Sequence, residues 1–181
     1  MLLSLVRHLP TEWNKKQLLQ GKRDIPLLPV TEETITSIQR NLEKLKKQPS
    51  FDIALASTLQ RTQQTAALYG IQPEIDGLLD ELGFGPFEGK TKATLFRQDG
   101  ENWLADPQKS ILRTNIEDLE ERIKLFLEKY KKYHHVLVFG HGSWIRAMLS
   151  YVQFGNLKQM NRLTVENNML IQILVNGKGE C

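Results

Sequence analysis

The feature that most constrains this chain is an alternation. Short apolar runs of strand length are separated by longer segments with helical spacing. The runs are Leu2–Val6, Ile53–Ala56, Val136–Phe139 and Met169–Val175, which read as buried strands. Between them, Thr31–Gln48 carries Ile35, Ile38, Leu42 and Leu45 on one stripe, with Glu32 and Glu33 at its start and Lys46, Lys47 and Pro49 at its end. Asn115–Tyr133 repeats the pattern with Leu119, Ile123, Phe126, Leu127 and Tyr130, and Ser143–Val152 with Ile145, Met148, Leu149 and Val152. Strands alternating with such helices predict a three-layer α/β/α sandwich with a mostly parallel central sheet. The 181 residues suit one domain, residues 1–181, without repeats or a linker.

In a parallel sheet of this kind, ligands bind beyond the carboxyl ends of the strands. The residues just after the runs are Arg7-His8, Ser57 to Arg61, and Gly140-His141-Gly142. Two histidines and two arginines, from three parts of the chain, are thus expected at one edge. Guanidinium groups at positions 7 and 61 match the oxygens of a phosphoryl group, and a helix start after His141 also favours an anion. A neutral imidazole can attack phosphorus and later give it up to water, which makes His8 a candidate nucleophile. Taken singly, each residue has a plainer reading: a surface turn for Arg7-His8, a solvated helix arginine for Arg61, a tight turn for His141. His134 and His135 read as structural, since no cysteine or carboxylate stands at ligand spacing, and no metal site or cofactor is expected. Lysines 44, 46, 47, 129, 131 and 132 read as solvated helix faces.

The net charge of 24 − 21 = +3 is mild. Without a concentrated basic stripe or an aromatic-basic motif, nucleic acid is not expected as a partner. No apolar run approaches the ~18 residues that cross a bilayer. Arg7 and His8 interrupt the opening apolar stretch too early for a signal-peptide core. The sole cysteine, Cys181, excludes an intramolecular disulfide. A cytoplasmic location is the expectation; a homodimer is left open.

The combination of blocks is more telling than any member. Val6-Arg7-His8-Leu9-Pro10-Thr11-Glu12-Trp13-Asn14 resembles the R-H-G-x-T-x-x-N signature of the phosphoglycerate mutase-like histidine phosphatase superfamily. Gln20-Gly21-x-x-Asp24-x-Pro26-Leu27, Ser57-x-Leu59-x-Arg61-Thr62-x-x-Thr65-Ala66, Glu81-Leu82-x-Phe84-Gly85-x-Phe87-Glu88-Gly89 and Gly140-His141-Gly142 are similar to its further blocks, in the family's order. The resemblance implies His8 as nucleophile, and Arg7, Asn14, Arg61 and His141 around the phosphate. It implies Glu81 as proton donor to the leaving oxygen, a role that spacing alone leaves shared with Asp80 and Glu88.

Departures from the pattern are Leu9-Pro10 where a glycine usually follows the first histidine, Phe87 for tryptophan, and Arg113-Thr114-Asn115-Ile116-Glu117 where many members have Gly-Glu-Ser. The short chain, with Glu81-Leu82-Gly83-Phe84-Gly85 at the acid, resembles the phosphatase side of the family, including α-ribazole phosphatases and broad sugar-phosphate phosphatases. The expected substrate is a small phosphomonoester. The alternatives are a mutase-type phosphotransferase and a non-catalytic phospho-ligand-binding protein of the same fold. Tyr69, Phe96, Trp103 and Leu104 are candidates for the substrate rim, although such residues more often belong to a core.

Overall fold

A computed structural model describes residues 1–175; Cys181 lies outside the described residues. Strands β1 (Leu2–Arg7), β2 (Ile53–Ala56) and β4 (His135–Gly140) form the middle of a five-stranded sheet with β3 (Glu74–Ile75) and β5 (Leu170–Leu174) at its edges, in the order β3-β2-β4-β1-β5. All three are parallel to their neighbours within this group. Parallel strands need both faces covered, and β2 and β4 are buried along their whole length.

Alternate residues of these strands feed two cores. Leu3, Leu5, Leu55, Val136 and Val138 face one side, where they join Ile116, Leu119, Ile123 and Phe126 of α5 (Arg113–Tyr130) and Trp144, Ile145 and Met148 of α6 (Gly142–Phe154). Val6, Ala54, Ala56, Leu137 and Phe139 face the other, against Ile38 and Leu45 of α2 (Glu32–Lys46) and Ala66 of α3 (Gln60–Leu68). Period-two strands feeding two helical layers make the α/β/α sandwich.

The expected helices are present with their ends moved by one to three residues, α2 shorter, α5 shifted toward its start and α6 longer at both ends. Thr31 is the cap of α2, its side chain accepting from the Thr34 N–H, and α5 starts at Arg113 and stops at Tyr130. Two expectations need correction. The Met169–Val175 run becomes β5 (Leu170–Leu174), which is only half-buried because it pairs antiparallel with β1 at the edge of the sheet. The opposite edge holds β3 (Glu74–Ile75), two exposed residues that no apolar run announces. Two helices also went unforeseen: α1 (Glu12–Lys15) and α4 (Lys92–Ala105), the latter kinked at Asp99.

Register decides where the site falls. Arg7 pairs with Gly140 and Ala56 with Phe139, so β1, β2 and β4 end within a residue of one another. His8, Ser57 and His141 follow those ends directly. No described helix is long and apolar enough to cross a membrane.

Candidate active site

Beyond β1 the chain is held from both sides. The His8 N–H donates to the Gly140 carbonyl, and the Asn167 side chain donates to the His8 carbonyl. The His8 ring is almost wholly buried, with Nδ1 2.7 Å from the Leu9 carbonyl oxygen. A carbonyl can only accept, so Nδ1 carries the proton and Nε2 the lone pair. Burial, then the positive charges of Arg61 and Arg7, hold the His8 pKa well below the ordinary histidine range. The imidazole is therefore neutral at physiological pH.

Thr11 caps α1 and shares a reciprocal box with Asn14. Asn14 Oδ1 accepts from the Thr11 N–H and hydroxyl, both at 3.0 Å, so what Asn14 can offer a ligand is its amide N–H pair.

The two arginines are built differently. Arg61 is fully buried on α3 and its fork is pinned: Nη1 donates to the Arg23 carbonyl (2.7 Å), Nη2 to the Gly21 carbonyl (2.9 Å) and Nε to His141 Nδ1 (3.2 Å). Gly21 adopts φ +55°, and a Cβ there would meet Glu88 Oε1 at 2.0 Å, so this turn accepts only glycine. Arg7 donates from Nη1 to the Val165 carbonyl, while its buried Nε has no partner among the described residues. It lies against the start of α6, where a Cβ on Gly142 would sit 3.2 Å from that Nε.

Three carboxylates competed for the acid role in sequence, and geometry separates them. Asp80 accepts from the Thr58 N–H and hydroxyl and takes no part in the pocket. Glu88 clamps two turns, accepting from the Lys22 and Phe84 N–H groups. Glu81 lines the pocket and lies across the first turn of α6. Its Oε2 accepts from the Ser143 N–H, and its Oε1 from the Trp144 and Leu82 N–H groups. A helix start has free N–H groups to give, and here they orient a carboxyl.

These groups share one pocket of about 320 Å³, lined by Arg7, His8, Asn14, Arg61 and Glu81 among others. His141 stands behind that wall, fully buried, with Nδ1 taken by Arg61 and Nε2 2.7 Å from Ser57 Oγ. Of the proposed rim residues, Phe96 and Trp103 line the pocket. Tyr69 does not: it packs on Phe139 in the opposite core, its hydroxyl bonded to Asn41 and Asn168. Leu104 lies on the surface. His135 is bound between Ser4 and the Pro49 carbonyl at the far end of the sheet. Among the described residues no cluster of three or more His, Cys, Asp or Glu could hold a metal ion.

The profile of the histidine phosphatase superfamily (branch 1) matches residues 3–180. The chain belongs to the histidine phosphatase superfamily. It is 30% identical to a putative phosphoserine phosphatase 2 of Hydrogenobacter thermophilus over 97% of this chain and 90% of that one. It is 34% identical to the adenosylcobalamin/alpha-ribazole phosphatase of Escherichia coli, over 83% and 78%. A 2,3-bisphosphoglycerate-dependent phosphoglycerate mutase of Methylorubrum populi is 30% identical over 82% and 77%. Among solved structures, a putative alpha-ribazole-5'-P phosphatase from Escherichia coli superposes with a TM-score of 0.73 at 29% identity, covering 95% of this chain and 89% of that one.

The departures from the superfamily pattern have local causes. Leu9 is buried in the α2/α3 core beside Val6 and Ile38, and its N–H donates to Thr65 Oγ1. Phe87 is buried in the other core. Arg113 and Glu117 form an exposed ion pair in the first turn of α5.

Three further charged residues line the pocket that the superfamily blocks do not contain: Lys92, Arg146 and Glu166. Arg146 lies on α6 with its Nε donating to the Gly142 carbonyl, and no pattern in the sequence marked it.

Proposed function

We propose that this chain hydrolyses small phosphomonoesters through a phosphohistidine on His8. The observation that carries the reading is the His8 ring itself: neutral, with its lone pair confined to Nε2 and two guanidinium groups close enough to depress its pKa. The same charges that keep a proton off the ring attract a phosphate dianion.

In the first step Nε2 bonds to phosphorus and the ester P–O bond breaks. The leaving oxygen takes a proton from the Glu81 carboxyl. In the second, water gives a proton to the Glu81 carboxylate as its oxygen bonds to phosphorus. The P–N bond breaks, orthophosphate departs, and His8 returns to its neutral form. Arg7, through the free Nε, and the fixed Arg61 fork meet the charge on the equatorial oxygens, and Asn14 adds amide donors. His141 supports the cradle by holding Arg61 in place. This chemistry asks for no metal.

The test is a quench after brief exposure to a labelled phosphomonoester, followed by peptide mapping. Phosphoserine and α-ribazole 5′-phosphate head the panel because relatives carry those names, and phosphoglycerate tests for transfer in place of hydrolysis. The expected label is acid-labile, alkali-stable and on His8, and it is lost together with turnover in His8→Ala. Chelator leaves the rate unchanged. Phosphate mapped to His141, or a His8→Ala protein working at the parent rate, sinks the mechanism.

A further inference from the structure

We propose that Ser57 and Thr62 fix the tautomer of His141, so that His141 serves as the acceptor that locks Arg61 in position. The inference rests on the reading of Arg61 as a phosphate-binding group. Its starting point is a bond whose direction admits no choice. Arg61 Nε always carries hydrogen, so at 3.2 Å from His141 Nδ1 it donates, and Nδ1 must hold the lone pair. Burial and the nearby positive charges keep His141 neutral, which leaves its one proton on Nε2.

That proton needs an acceptor, because the ring is fully buried. Ser57 Oγ stands 2.7 Å away. It also accepts from the Leu59 N–H at 3.1 Å, so its own hydrogen has one remaining direction, to Thr62 Oγ1 at 3.0 Å. Thr62 in turn donates to the Leu59 carbonyl at 2.9 Å. Each oxygen in the chain is satisfied in this one sense. Reversing the histidine would set two N–H groups against each other at Arg61, and with Ser57 then donating to Nε2 no hydrogen would lie between Ser57 and Thr62 unless Thr62 gave up the Leu59 carbonyl.

Ser57 and Thr62 touch neither the pocket wall nor the reacting atoms, so they are positioning residues. Their effect passes through His141 to the Arg61 Nε, while the Gly21 and Arg23 carbonyls hold the other two nitrogens. Without a fixed acceptor the guanidinium keeps its charge and loses one of three anchors.

The test reads the tautomer directly. Two-bond ¹H–¹⁵N spectra of the whole protein, with the His141 signals assigned from a His141→Gln variant, report which ring nitrogen is protonated. The parent is expected to show hydrogen on Nε2. Ser57→Ala should admit the Nδ1–H form and lower kcat/KM on the order of 10–100-fold, by analogy with the loss of partners that orient metal-ligating histidines. Thr62→Val should move both readouts in the same direction and Thr62→Ser should restore them. A parent ring protonated on Nδ1 overturns the proposal. So does a change in either readout, tautomer or kcat/KM, without the other. A failure of the phosphatase reading looks different: no phosphomonoester is turned over, while the tautomer and its response to Ser57→Ala stay as described.

Discussion

His8 and His141 meet edge to face, with 5.3 Å between their ring centroids. Two imidazoles at this distance, buried beside Arg7 and Arg61, both resist a proton, and each ring has its pKa held well below 6.5. The proposed nucleophile thus stays deprotonated into mildly acidic solution.

The acid limb of kcat/KM should therefore lie well below pH 6.5. Arg7→Gln removes one of the charges that depress His8, so in that variant the limb should move upward toward the ordinary histidine range, alongside a lower rate. A pH–rate profile of both proteins checks this; a parent limb centred near 6.5 contradicts it.

Stability should show the same histidines. Their folded pKa values lie below the unfolded value, so the unfolded chain takes up protons first as pH falls. Stability is thus flat above about pH 6.5 and declines below it, approaching about 1.4 kcal/mol per pH unit for each histidine. Denaturant titrations between pH 7.5 and about 5 measure the slope. His8→Gln should remove close to half of it.

Glu81→Gln keeps the shape of the side chain but cannot give a proton. Hydrolysis of a sugar phosphate, whose alkoxide needs that proton, should fall on the order of 10²-fold or more, while p-nitrophenyl phosphate should be much less affected. Equal losses on both substrates would remove Glu81 from the acid role.

Leu9→Gly restores the residue more usual in the superfamily at this position, yet it should destabilise this protein. The side chain is buried between Val6 and the α2/α3 layer, and emptying such a site costs about 2–5 kcal/mol. Thermal unfolding reads the result; an unchanged or raised Tm would show that the cavity collapses at no cost.

Arg7, Arg61, Lys92 and Arg146 line a pocket with two carboxylates, Glu81 and Glu166. Lys92→Gln and Arg146→Gln should therefore raise KM more for phosphoesters whose leaving group bears a negative charge than for neutral ones. Added salt should narrow that difference for the exposed Lys92. A substrate panel at low and high ionic strength separates the two residues.

Much of this geometry was legible in the sequence because it rests on strand ends. Buried strands write themselves as apolar runs, and the residue after each run lands at the carboxyl edge, which placed His8, Ser57 and His141. What escaped notice left weak signals. The strand Glu74–Ile75 is two exposed residues long, and α4 carries Gly100 and a kink at Asp99 that blur its apolar stripe. Lys92 and Arg146 reach the pocket from helix faces, where charged residues are ordinarily solvated. Asp80, Glu81 and Glu88 differ in which backbone N–H groups they accept, and most of these come from distant turns that no spacing encodes.

The sheet order also bears on how the protein is made. β1 lies between β4 and β5, so it must wait for segments made much later before it finds its neighbours. Residues 2–7 must wait for residues 135–140 before pairing on one side, and for 170–174 on the other. Such distant pairing delays assembly, since the chain must close a long loop before any contact rewards it. A nascent chain cut short before β4 carries Arg7 and His8 but has no Gly140 carbonyl to hold the loop and no α6 to orient Glu81. The pocket that Arg7, His8 and Glu81 line is thus completed only when the sheet closes around β1.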